Sequence, residues 1–232
     1  MAFPIIHVII DAYLEKETLF KMRIALINEN SQAAKNEIIY NTLSKVAAKH
    51  GHVVDNYGMK GADDKSLTYV QNGLLAAVLL NSGAADFVVT GCGTGEGALL
   101  ALNAFPGVLC GYVVEPSDAY LFTQINAGNA IAQPYAKGFG WGAELNLENV
   151  YEQLFKAPFG GGYPKERVIP EQRNKKILDG VKAKTTRPLI DILKDLDQDF
   201  VKETLDRDTV KELFFANAKD GEIKDYVKAL LA

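Results

Sequence analysis

The chain has 232 residues, 48% of them apolar and 23% charged, so one domain with a sizeable core and room for an appendage is the expectation. A net charge of -4, with the basic residues scattered, excludes the electrostatic footprint of a nucleic-acid binder. Two cysteines and three histidines without ligand spacing exclude a disulfide framework and a zinc site, and no apolar run reaches the roughly 18 to 20 residues that cross a bilayer.

The opening stretch from Phe3 to Tyr13 is apolar, but Asp11, Glu15 and Lys16 punctuate it without a basic start. It reads as an N-terminal extension over residues 1–21, an added strand or an interface segment, and not as a signal peptide. A reducing cytoplasm suits the cysteine usage. Arg23-Ile24-Ala25-Leu26-Ile27 reads as a first strand. Ile38, Ile39, Leu43, Val46 and Ala47 fall at helical spacing over 34–50, with Gly51 at the expected C-terminal cap. Val53 to Tyr57 is a second strand. Val70, Leu74, Leu75, Val78 and Leu79 mark one face of a helix over 66–82, closed by Gly83. Phe87-Val88-Val89-Thr90 is a continuous apolar run of the kind buried on both faces of a parallel sheet. Val108 to Val114 reads as a fourth strand and Ala130 to Ala132 as a short fifth, with helices over 98–103 and 117–126, the latter behind Pro116. Alternating strands and helices define an α/β, Rossmann-like three-layer sandwich with a five-stranded parallel sheet.

Glycines and prolines cluster over Ala157-Pro158-Phe159-Gly160-Gly161-Gly162-Tyr163-Pro164, where periodicity is lost. The expected core domain therefore spans 22–168. A helical C-terminal extension follows over 169–232, with narrow apolar faces from Leu189, Ile192, Leu193 and Leu196, then Val210, Leu213 and Phe214, then Val227, Leu230 and Leu231.

Function is sought at the carboxyl ends of the strands, where open α/β sheets bind ligands. The loop after Thr90 is Gly91-Cys92-Gly93-Thr94-Gly95-Glu96-Gly97. Its glycines allow a sharp turn and close approach to a ligand, and the following helix presents free N–H groups that welcome an anion. Cys92 stands just before that helix, where dipole and backbone donors make a thiol a usable base; Glu96 enters the first turn. A small core cysteine beside an ordinary helix-start carboxylate is the plainer alternative. A glycine-rich strand-to-helix turn also serves nucleotide and flavin sites, but Asn28-Glu29-Asn30-Ser31 after the first strand lacks glycine, and only Glu115 loosely fills the acidic position of a dinucleotide fingerprint.

This loop, with Asn103, Pro106-Gly107-Val108, Tyr69, Glu115-Pro116-Ser117-Asp118-Ala119, Asn126, Asn129, Gly161-Gly162 and Arg167-Val168, resembles the family of type B ribose-5-phosphate isomerases and galactose-6-phosphate isomerases over roughly Met22 to Val168. The resemblance implies aldose-ketose isomerisation of a sugar phosphate through a cis-enediolate, with neither metal nor nucleotide cofactor. In some members the loop cysteine is the base, in others a glutamate four residues later. Here it implies Cys92 as base with Glu96 close behind, Thr94 as hydroxyl partner, and the N–H groups of Gly93, Gly95 and Gly97 around the enediolate oxygens. Glu29, Asn30, Tyr69, Asn103 and Asn126 become substrate-facing, and Arg167, Lys165 and Lys137 phosphate-binding. The family arginine reaches a neighbouring subunit's site, which implies a homodimer or tetramer; the charge and hydropathy pattern leaves no nucleic-acid or membrane partner expected.

Several positions depart from the family pattern. Glu29-Asn30 stands where the family has Asp-His, Ile125 where a histidine opens the sugar ring, and Tyr163 where the first of two phosphate-binding arginines belongs. A short sugar phosphate such as a tetrulose phosphate, which forms no stable ring, needs no ring-opening acid. The losses also suit a non-catalytic sugar-phosphate sensor or subunit, while Cys92 and Glu96 speak for an enzyme. Asn30, Asn103 and Asn126 serve equally well as turn caps on residue type alone, Tyr69 as a core aromatic, and Arg167 as part of a solvated charge cluster.

Overall fold

Ile24 and Leu26 point to one side of the first strand and Ala25 and Ile27 to the other, yet all four are fully buried. Apolar residues on both faces of a strand require a layer on each. In the computed structural model, which describes residues 21–232, that is the arrangement; the opening apolar stretch lies outside the described residues. Arg23–Ile27 (β1), Val53–Asn56 (β2), Phe87–Cys92 (β3), Cys110–Tyr112 (β4) and Ala130–Pro134 (β5) form a parallel sheet in the order β2-β1-β3-β5-β4.

On one face pack α1 (Asn36–Lys49), α4 (Pro116–Leu121) and α5 (Ala143–Leu154), whose Leu43, Val46, Ala119, Leu147 and Tyr151 meet Ile24, Leu26 and Val89. On the other lie α2 (Tyr69–Asn81) and α3 (Glu96–Asn103). The chain leaves β1 for the first face and β3 for the second. Neighbouring strands thus send their exits apart, and the crevice between them is the topological switch point at which such sheets bind ligands.

The helix expected over 66–82 is confirmed as α2, but its burial is not one-sided. Every residue from Gln71 to Leu79 is buried, because the C-terminal segment covers the outer side. That segment comprises α6 (Val168–Thr185), α7 (Leu189–Asp195), α8 (Gln198–Leu205), a π turn over Val210–Phe214 and α9 (Glu222–Leu230). Leu193, Val201, Leu205, Val210, Phe214 and Val227 are fully buried and share one cluster with Leu74, Leu75, Val78 and Val88. The extension is therefore a third layer over α2. Within it α6 buries no residue and leaves Ile169, Ile177, Leu178 and Val181 exposed.

Three further features are local. The fourth strand is shorter than its apolar run, pairing only as Cys110–Tyr112 with Ala130–Ala132. The helix expected over 117–126 turns to π geometry at Phe122–Asn126 and stops at Ala127, whose φ is 45°. The Gly-Pro cluster, where periodicity is lost, is bonded to the core. Gly160 and Gly162 donate to Thr123 O and Gln124 O at 2.9 Å, and the Phe159 ring meets Phe87 at 5.4 Å, so the stretch closes over the end of the first layer. No helix among the described residues is long and apolar enough to cross a membrane.

If the C-terminal helices are integral to the core, truncating the fully buried Phe214 should act like a central core deletion. Phe214→Ala is expected to cost about 3 to 5 kcal/mol while urea unfolding, followed by tyrosine fluorescence and by far-ultraviolet dichroism, keeps a single coincident transition; separate transitions would mark an independent unit.

Candidate active site

The turn after β3 is built by the absence of side chains. A Cβ on Gly91 would fall 2.4 Å from Gln133 O and from the Tyr135 ring, so only glycine lets β3 and β5 close at this level. Gly95 has φ +81°, and a Cβ there would meet the Tyr112 ring at 2.6 Å and the Gln133–Pro134 backbone at 2.9 Å. The turn so folded returns the Gly95 N–H to Cys92 Sγ at 3.1 Å, while Thr94 Oγ1 stands 4.0 Å from the sulfur and Tyr112 Oη donates to Thr94 O at 2.9 Å.

Cys92 and Glu96 diverge. Cys92 is 7% exposed and belongs to the core cluster with Val88 and Ala98. The Glu96 side chain, at the head of α3, is 65% exposed and lies 3.7 Å from Lys137 Nζ, which itself sits over the Tyr112 ring at 5.6 Å. A cavity of about 300 Å³ lined by Gln133, Tyr135, Lys137 and Asn146 opens alongside. The other cysteine, Cys110, is sealed in the core, and burial pushes its thiol well up.

Across the crevice stand the residues that leave β1. Glu29 is buried and caps the following 3-10 turn by accepting from Ser31 N at 2.9 Å. Asn30 donates its backbone N–H to Leu67 O at 2.7 Å and its amide to Ser66 Oγ at 3.2 Å. Tyr69 opens α2 behind a capping box of Thr68 and Gln71, with its ring 3.2 Å from where a Gly97 Cβ would be. Thus Glu29, Asn30, Tyr69, Gly93, Thr94, Glu96, Gly97 and Lys137 gather around the turn that carries Cys92.

The remaining expected residues do not. The Asn103 amide is engaged by the backbone of Cys110, donating at 2.9 Å and accepting at 3.0 Å, and holds the turn into β4. Asn126 precedes β5 at the opposite end of the sheet. Pro134 pairs with Cys92 and Ala130 with Val88, so at about 3.3 Å per residue the start of β5 is already roughly 13 Å away. Lys165 and Arg167 follow the glycine stretch bonded to Thr123 and Gln124 and are exposed at that same far end. The Gly95 N–H, expected at an enediolate oxygen, is directed instead at sulfur.

Gln32 and Tyr112 were not foreseen. Gln32 Nε2 is 3.7 Å from a Cβ placed on Gly93, and its Oε1 accepts from Lys35 Nζ at 2.8 Å. Nothing in the polar run Asn28 to Lys35 singles it out. Tyr112 carried a legible signal, a tyrosine in an apolar strand that needs a polar outlet for its hydroxyl.

A glycine turn at the switch point of a doubly covered parallel sheet defines a Rossmann-like α/β protein whose crevice lies at the carboxyl ends of the strands. A family described as Ribose/Galactose Isomerase matches residues 24–169, and one described as Ribose-5-phosphate isomerase matches 184–230. The chain belongs to the ribose/galactose isomerase family. Among solved structures, a 4-deoxy-L-threo-5-hexosulose-uronate ketol-isomerase complexed with a tartrate is 60% identical, covering 90% of this chain and 99% of its own, with a TM-score of 0.89. A ribose-5-phosphate isomerase from Vibrio parahaemolyticus is 51% identical over 91% of this chain and 100% of its own, again at 0.89. The type B ribose 5-phosphate isomerase of Leishmania infantum, at 17% identity, 72% and 100% coverage and a TM-score of 0.60, shares the fold. No curated protein matches the chain. The chain is an aldose-ketose isomerase, an intramolecular oxidoreductase, and the nucleotide-binding and non-catalytic alternatives give way to that reading.

The glycine argument separates two neighbouring positions. Gly95→Ala is expected to lower stability in urea titrations by more than about 1 kcal/mol, whereas Gly93→Ala, whose Cβ would meet only Ala136 Cβ and Gln32 Nε2 at 3.7 Å, should unfold within about 0.5 kcal/mol of wild type.

Proposed function

We propose that Cys92 is the base that carries a proton between C1 and C2 of an open-chain hydroxyaldehyde. The observation that carries this reading is the Gly95 N–H held on Cys92 Sγ at 3.1 Å. A hydrogen bond to sulfur strengthens when the sulfur is anionic, and the head of α3 adds its own positive potential. As thiolate, Cys92 removes the C2 proton, the electrons move into the C1–C2 bond, and O1 takes the negative charge of the enediolate. Returning the proton to C1 and reforming the carbonyl at C2 gives the ketose. The N–H groups of Gly93 and Gly97 face the developing oxyanion, and the Thr94 hydroxyl moves the proton between O1 and O2. Asn30 and Tyr69 bind the sugar hydroxyls across the crevice. Glu96, solvated and beside Lys137, is the weaker claimant as base.

For the substrate we propose a 4-deoxy-5-keto hexuronate, after the 60% identical ketol-isomerase. Such a molecule has no hydroxyl at C4 and a ketone at C5, so the usual ring closures onto C1 are lacking. A ring-opening acid is unnecessary, in keeping with Ile125 where the family pattern has histidine. A sugar phosphate is the second reading, favoured by exposed Arg167 and Lys165 and by the 51% identical ribose-5-phosphate isomerase. Either anion can be met by Arg167 and Lys165 of a second chain, together with its Asn126, if two copies pair so that the far end of one sheet caps the crevice of the other. The apolar side chains exposed on α6 suit such a pairing. Residues 22–168 then form the catalytic unit, acting in the cytoplasm.

Deuterium uptake from heavy water into each substrate tests the base. Cys92→Ser is expected to reduce exchange by about 10² to 10⁴-fold, the size of a general-base contribution, with Glu96→Gln within about tenfold of wild type; the reverse ranking would reassign the base to Glu96. Shared sites are tested by subunit mixing. Inactive Cys92→Ser and impaired Arg167→Ala chains, refolded together in equal amounts, should recover about a quarter of wild-type turnover, since half the dimers are mixed and one of their two sites is intact.

A further inference from the structure

The C-terminal segment does more than cover α2. Arg207, between α8 and the π turn, has a side chain only 2% exposed, and its Nη1 donates to the backbone carbonyls of Lys65 and, at 3.3 Å, Ser66. Its Nη2 lies 3.1 Å from Asp64 Oδ1, and that carboxylate in turn accepts from Lys60 N at 3.0 Å and Lys65 N at 2.8 Å. Neighbouring groups reach the same loop: Lys65 Nζ donates to Asp206 O at 2.8 Å, and Thr209 Oγ1 to Tyr57 O at 3.3 Å. Every one of these bonds ends on residues 57–66, the connection between β2 and α2. Beyond its last bond, Ser66 Oγ and Leu67 O receive both donors of Asn30, Thr68 caps α2, and Tyr69 lies on the first turn of α3.

We propose that Arg207 is a positioning residue of the active site, fixing the loop before α2 so that Asn30 and Tyr69 stand at a set distance across the crevice from Cys92. The inference rests on the reading that Asn30 and Tyr69 face the substrate. A buried guanidinium is a demanding choice for a fastener, because desolvating it is costly unless its donors are matched; here Nε has no hydrogen-bond partner and Nη2 has only its ion-pair approach to Asp64, so the hydrogen bonding rests on Nη1. Packing α8 onto α2 would need only apolar side chains, and those are already present in Val201 and Leu205. What Arg207 adds is an Nη1 that donates to two successive carbonyls while the charge sits beside the Asp64 carboxylate, which fixes the loop's path as well as its proximity. Through that loop the C-terminal extension becomes part of the substrate-binding wall.

The test compares Arg207→Met, Arg207→Lys and, as a control on the same extension, Arg187→Met, which removes a surface pair with Asp195. Arg207→Met is expected to raise KM about tenfold with a smaller change in kcat, as a misplaced binding wall should, Arg207→Lys to recover part of it, and Arg187→Met to match wild type. In an Asn30→Ala background the KM effect of Arg207→Met should shrink to the part that Tyr69 carries, because one of the two groups it positions is gone. Amide hydrogen exchange provides a readout without substrate: protection of the Asn30 N–H should fall selectively in Arg207→Met, measured where all variants are folded. An unchanged KM, multiplicative effects with Asn30→Ala, or a uniform loss of protection across the chain would overturn the proposal. Failure of the wild-type enzyme to exchange protons on any substrate would instead overturn the assignment of Cys92, with the Asn30 amide then deciding the positioning claim alone.

Discussion

The chemistry proposed for this chain depends on one contact, the Gly95 N–H on the sulfur of Cys92, and on the backbone path that permits it. Four residues return on themselves between β3 and α3, and the return is possible only where residues 91 and 95 carry no Cβ, since β5 and Tyr112 fill the space a side chain would need. The same turn performs two tasks. It ends a strand buried on both faces, so the thiol is withdrawn from bulk water, and it starts a helix, so the withdrawn sulfur meets backbone donors.

The sheet imposes the rest. Because exits from β1 and β3 diverge to opposite layers, a crevice opens between them, and its second wall must come from what leaves β1 and from the start of α2. That wall rests on a twelve-residue irregular connection, 57–68, with few apolar anchors besides Tyr57, Met59 and Leu67. A loop of this kind is free to drift, and the C-terminal helices bind it through polar contacts to its backbone. Stability and function therefore share the extension: Phe214 and Leu193 fill a core while Arg207 disciplines a loop.

The order of strands and helices was legible because parallel strands buried on both faces leave continuous apolar runs such as Phe87 to Val89, and because glycines mark the helix ends. The one-sided reading of α2 was wrong for a physical reason: a helix covered on both sides is apolar all round, and periodicity does not say what supplies the second cover. Helix α5 was not legible, being crowded with asparagine and glutamate, and α6 was legible only as part of a helical extension, since it has no buried face to print a pattern. The turn with Cys92, Thr94 and Glu96 was legible from residue types at fixed spacing. Its neighbours were not, because Gln32 and Arg207 reach the site through pairings 61 and 141 or more residues apart that only the folded chain creates. Asn103 shows the converse, an asparagine whose motif position suggested a ligand and whose amide instead secures a turn.

The proton-transfer geometry is tested most directly by a crystal structure of the enzyme with a hydroxamate mimic of the enediolate formed from the 4-deoxy-5-keto hexuronate. The account predicts Cys92 Sγ at about 3 to 3.5 Å from the mimic's central atoms, with the first N–H groups of α3 on its oxygens. A complex in which the Glu96 carboxylate occupies that position, with Cys92 still covered by the turn, would contradict it.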